Sequence, residues 1–70
     1  MTETAFMIED ISKEIVLILM EEEGMSMVDA LRTLYNSKTY ERLTDTSNGL
    51  YTQSTAYIYE YLQEELGTSR

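Results

Sequence analysis

The chain of seventy residues contains no Cys, no His, no Pro and no Trp. Without Cys there is no disulfide and no thiolate metal site. Without His the usual general base is gone. Bases are scarce too: five Lys and Arg stand against thirteen Asp and Glu, a formal net charge of −8. That balance works against nucleic-acid binding, because phosphate contacts supply most of that affinity. It works equally against an anionic membrane surface. It favours solubility and a basic protein partner. The longest uncharged apolar run, Ile15 to Met20, has six residues, far short of the roughly 20 that a membrane span needs. Glu3 stands where a secretory signal would be basic, so the expectation is a cytoplasmic chain with no membrane partner.

A chain of this length is one domain and buries only about 60% of its unfolded surface. Small scaffolds add disulfides, metals or oligomerisation. With the first excluded and no metal site in view, oligomerisation is the aid that remains.

What is present is helical periodicity. Ile8, Ile11, Ile15, Ile18 and Leu19 repeat at helical spacing within a first helix expected over about Ala5 to Glu23, with Thr2 or Thr4 as N-cap. Phe6, Val16, Leu17 and Met20 point to a different side of that helix. A helix apolar on more than one side needs cover on more than one side, so these four are the candidate contacts of a homodimer. Gly24 ends the helix in the left-handed conformation and Ser26 caps the next, with Asp29 at capping-box spacing and Met25 as staple. The second helix, about Met27 to Tyr35, reads as amphipathic, with Met27, Val28, Leu31, Leu34 and Tyr35 on its apolar face. Ser37 starts a short third helix to Leu43, with Tyr40 and Leu43 inward. Thr44 to Gln53 is the turn-rich loop, anchored by Leu50 and Tyr51. Ser54 caps a fourth helix to Leu66, with Thr55, Ile58, Tyr59, Leu62 and Leu66 on one face, and Gly67 ends it. The fold class is therefore all-α: a small bundle of three main helices and one short one with helix 1 central, frayed at 1–4 and 67–70.

No catalytic, cofactor or metal site is expected. A Ser or Thr nucleophile finds no His, and Lys13 and Lys38 both read as exposed. Asp45, Ser47 and Gly49 faintly suggest a calcium loop, but the Gly falls one position early and Ala56 stands where the loop needs Glu. Arg32, Lys38 and Arg42 form the one basic cluster. From Ala30 to Arg42 three bases face one acid, a local +2, so a DNA-binding regulator using helices 2 and 3 is the alternative reading. The six tyrosines are mostly core edges. Tyr57 and Tyr61 instead fall on a shoulder of helix 4 beside Glu64, a candidate partner surface.

Gly24-Met25-Ser26-Met27, Ala30-Leu31-x-x-Leu34-Tyr35-Asn36-Ser37, Thr39-Tyr40, Leu43 and Asn48-Gly49-Leu50-Tyr51-x-Gln53-Ser54-x-x-Tyr57 together resemble a family of short bacterial proteins classed as a domain of unknown function. The similarity runs from about Glu14 to Leu66. Many members carry Pro after the residue matching Ser54, where this chain has Thr55. Members tend to be encoded beside toxin-like or ADP-ribosyltransferase-like genes, so the resemblance implies an accessory or antitoxin-like binding role. The expected function is a non-catalytic protein-interaction module that engages a basic protein partner.

Overall fold

A computed structural model describes residues 3–67. Four α-helices and two short 3-10 turns follow one another: α1 Glu3–Glu22, α2 Met27–Tyr35, α3 Lys38–Thr44, the turns Thr46–Asn48 and Leu50–Thr52, and α4 Thr55–Leu66. Among the described residues there is no strand, and the protein is all-α.

Each helix boundary has a local cause. Gly24 takes φ +69° in open space, so the demand for Gly there is conformational and not steric. The Glu23 and Met25 amides bond back to the Leu19 carbonyl at 3.0 and 3.4 Å, closing the end of α1. Ser26 sits in extended backbone and its Oγ accepts from the Asp29 amide at 3.1 Å. Ser37 works in both directions. Its hydroxyl donates to the Leu34 carbonyl at 2.6 Å, and its Oγ accepts from the Tyr40 amide at 3.0 Å, so one buried side chain ends α2 and starts α3. Between α3 and α4, Asp45 accepts from the Ser47 amide and hydroxyl, and Asn48 donates to the Arg42 carbonyl. Ser54 caps α4 through the Tyr57 amide at 3.2 Å. Apart from the backbone closure at Gly24, each of these caps is a short polar side chain satisfying an orphan amide or carbonyl.

α1 packs against α2, the second 3-10 turn and α4, while α3 packs against α4, α2 and the turns. The core gathers Ile11, Ile15, Val16 and Leu19 of α1, Ala30 and Leu34 of α2, Leu43 of α3, and Ile58, Tyr59 and Leu62 of α4. Leu50 and Tyr51 pin the turn segment against it. The Thr55 hydroxyl bonds the Glu14 carboxylate and ties α4 to α1.

Three boundary and facing expectations change. Thr4 lies inside α1 and not before it, while Thr2 and the ends at 1–2 and 68–70 fall outside the described residues. The loop at 44–53 is two 3-10 turns hinged on Gly49. The apolar face of α2 is only partly covered. Leu34 is buried along with Ala30, Leu31 is partly buried, and Met27, Val28 and Tyr35 are exposed. The helix is amphipathic as read, but it meets α1 through one edge of its stripe, and on the other edge Met27, Val28 and Tyr35 stay more than half exposed, although the Tyr40 ring of α3 meets Tyr35.

Candidate functional site

The N-cap of Ser54 fixes the first turn of α4 and with it Tyr57. One turn later stands Tyr61, and residues four apart share a helix face. Their rings meet edge to face, with centroids 5.2 Å apart and an interplanar angle of 89°. Their hydroxyls lie 3.1 Å apart. Tyr57 is 44% exposed, Tyr61 is half-buried and Glu64 is exposed, so the three residues stand together outside the core. The hydrogen bond to Tyr61, then the charge of Tyr61, slight burial and the Glu60 carboxylate, all raise the Tyr57 phenol above its ordinary pKa. On the far side of the ring pair, a groove of about 280 Å³ runs between α3 and α4 along Lys38, Thr39, Arg42, Tyr61, Glu64 and Glu65. The shoulder therefore has Glu60 and Glu64 on its own helix and the bases Lys38 and Arg42 on its α3 side.

Glu65 is the functional-looking residue that the sequence reading missed. Its carboxylate accepts from the Lys38 amide at 2.6 Å, and from the Thr39 amide and hydroxyl at 2.9 Å each. It caps the N-terminus of α3 from another helix. Burial pulls its pKa up, but these three hydrogen bonds and the Lys38 charge outweigh that, and the carboxyl is held below its ordinary value. No spacing rule could have found a cap supplied 26 residues away.

The residues read as dimer contacts divide. Phe6 and Leu17 are 62% and 56% exposed, whereas Val16 is only 7% exposed and belongs to the core. Met20 is half-buried against that core. Beside Val16 and Leu17 lies an apolar groove of about 480 Å³ between α1, α2 and α3, lined also by Ile8, Met27, Leu31 and Tyr35. Glu9 and Lys13 stand at its edge. Tyr35 and Tyr40 stack at its α2–α3 end, centroids 4.9 Å apart and tilted by 58°. Burial first, then Tyr35 and Glu9, raise the Tyr40 pKa.

Glu21, Glu22 and Glu23 are all exposed. Among the described residues no three potential ligands converge as a metal site requires, and no helix is long and apolar enough to cross a membrane. No family model matches this chain, and searches of curated proteins and of solved structures give no match either.

Proposed function

We propose that this chain is a non-catalytic protein-interaction module, and that it binds a basic protein partner through the Tyr57–Tyr61–Glu64 shoulder of α4. The observation that carries the reading is the tyrosine pair. Two large rings lie outside the core, and their hydroxyls pair with each other. Tyrosines in such positions are the typical anchors of an interface, because they bring large area at low entropic cost. An Arg or Lys of the partner placed over the Tyr57 face gains a cation–π contact and meets the carboxylates of Glu60 and Glu64. The net charge of −8 steers a basic partner toward the chain. The resemblance to short bacterial proteins found beside toxin-like genes supports the same accessory or antitoxin-like role.

The DNA-binding alternative meets two obstacles. Arg32 is drawn to Asp29 at 3.8 Å. The N-terminus of α3, which a recognition helix would aim at DNA, is capped by the Glu65 carboxylate, so a negative group stands where a phosphate would bind.

The test is recovery of the native complex from the chain's own cell, followed by binding of the purified partner. Tyr57→Ala with Tyr61→Ala is expected to weaken that binding by roughly 2 kcal/mol or more while leaving the circular dichroism unchanged. A partner of acidic character, or one indifferent to the double substitution, overturns the reading.

A further inference from the structure

We propose that α1 pairs with α1 of a second copy of this chain in antiparallel orientation, Glu9 and Asp10 of each copy facing Lys13 of the other. This surface is separate from the α4 shoulder.

The seam can be read directly from α1. Positions 6, 9, 13, 16 and 20 follow the 3-4-3-4 spacing of a helix–helix seam. They are Phe6, Glu9, Lys13, Val16 and Met20, with Asp10 and Leu17 alongside. Apolar residues hold the ends of this stripe and charges hold its middle. Phe6 and Leu17 are more than half exposed, and the apolar groove opens beside Leu17. Bare apolar surface of this size on so small a chain is what association would cover.

Charge decides which occupant fits and in which direction. In a parallel, in-register pair Glu9 would face Glu9, Lys13 would face Lys13, and the two Glu21-Glu22-Glu23 runs would lie side by side. All three juxtapositions are repulsive. In an antiparallel pair whose facing positions sum to 22, Glu9 meets Lys13 of the partner copy, and Phe6 falls opposite position 16, where Val16 is turned into the core and its exposed neighbour Leu17 is the contact. Asp29–Arg32 is the one ion pair among the described residues, so Lys13 has no carboxylate of those residues within bonding distance. The −8 charge on each copy opposes association, but beyond about 8 Å that repulsion is screened at physiological ionic strength, while facing pairs at the seam are not.

The experiment is sedimentation equilibrium at about 100 µM and physiological salt, with circular dichroism to check helix content. The wild type is expected at twice the 8.1 kDa chain mass. Lys13→Glu sets three acids against three at the seam and is expected to weaken the dimer at least tenfold. The full reversal, Glu9→Lys with Asp10→Lys and Lys13→Glu, restores opposite charges across an antiparallel seam and is expected to return the dimer to near wild-type strength. In a parallel pair Lys13→Glu only exchanges one like-charge contact for another. A wild type that stays at 8.1 kDa, a Lys13→Glu dimer of unchanged strength, or a reversal that fails to restore pairing each overturns the proposal. Tyr57→Ala with Tyr61→Ala leaves this dimer unchanged, so failure of one surface does not count against the other.

Discussion

The two sides of this small bundle are closed by different means. Where α3 meets α4, polar groups converge. Glu65 satisfies two amides and a hydroxyl at the head of α3, Ser37 bonds both ways, and Leu43, Ile58 and Leu62 are fully buried beneath them. Where α1 meets α2, contact is almost wholly apolar, and it stops halfway across each stripe. Leu19, Ala30 and Leu34 are fully buried, yet Leu17, Met27, Val28 and Tyr35 are more than half exposed. Hydrogen bonds are directional, so a few of them fix how α3 sits on α4. Apolar burial is not directional and covers only what a neighbour reaches. The four helices of the described residues leave the remaining edge bare.

The comparison is tested most strongly inside α1 itself. Leu17 and Leu19 are two residues apart and identical in chemistry, but one faces solvent and the other the core. Leu19→Ala should destabilise the fold by about 2–5 kcal/mol through lost burial and the cavity left behind. Leu17→Ala should cost less than about 0.5 kcal/mol in the isolated chain. Urea unfolding at a concentration low enough to separate copies measures both. Equal costs would mean that α1 has no bare side.

On the polar side the corresponding probe is Glu65. Removing the carboxylate with Glu65→Ala leaves the head of α3 with unsatisfied amides and should cost about 1–2 kcal/mol, as loss of an N-cap does. The position is exposed, so solvent screening places the effect toward the lower figure. The pH dependence has a definite sign. The carboxyl is held below its ordinary value in the fold. Its contribution is therefore complete above the unfolded pKa and disappears as pH falls through the lower, folded one. The stability gap between wild type and Glu65→Gln should accordingly narrow on going from about pH 7 to about pH 3. A gap that widens on acidification would show that Glu65 does not act as a charged cap.

Most helix limits were legible because their causes are local. Gly24, Ser26, Ser37, Ser54 and Gly67 each act within four residues of themselves, and the positions of Ile11, Ile15 and Leu19 repeat at helical period. What could not be read is what depends on which helix lies beside which. The stripe on α2 was visible in Met27, Val28, Leu31, Leu34 and Tyr35, but how much of it α1 would cover was not. Val16 looked like a residue for a partner and instead fills the core. The reach of Glu65 to Lys38 and Thr39 joins residues far apart in the chain, and nothing in the periodicity of α3 or α4 announces it. That Tyr57 and Tyr61 share one face of α4 could be read from the helical wheel because it depends only on their own helix, whereas the half-burial of Tyr61 depends on α3.

The smallest effect belongs to a polar atom caught on the apolar side. Tyr59 is 6% exposed, and its hydroxyl is buried without a hydrogen-bond partner. Burial first, then the nearby carboxylates of Glu23 and Glu22, raise its pKa, so the phenol stays neutral. A buried hydroxyl with a partner contributes about 1 kcal/mol, and Tyr→Phe normally forfeits it. Here there is no bond to forfeit, and the desolvation cost of the hydroxyl is relieved when it is removed. Tyr59→Phe should therefore leave stability within about 0.5 kcal/mol of wild type or raise it by up to about 1 kcal/mol. The ring stays in place against Ile58 and Leu62, so packing is unchanged and the substitution isolates the hydroxyl alone. Thermal unfolding of the two proteins side by side reads the difference. A loss above about 1 kcal/mol would mean that the hydroxyl reaches a carboxylate of the acidic run at the end of α1. In that case a second polar tie, beside that of Thr55 to Glu14, would join α4 to α1, and the contrast between the two sides would be weaker than the buried hydroxyl implies.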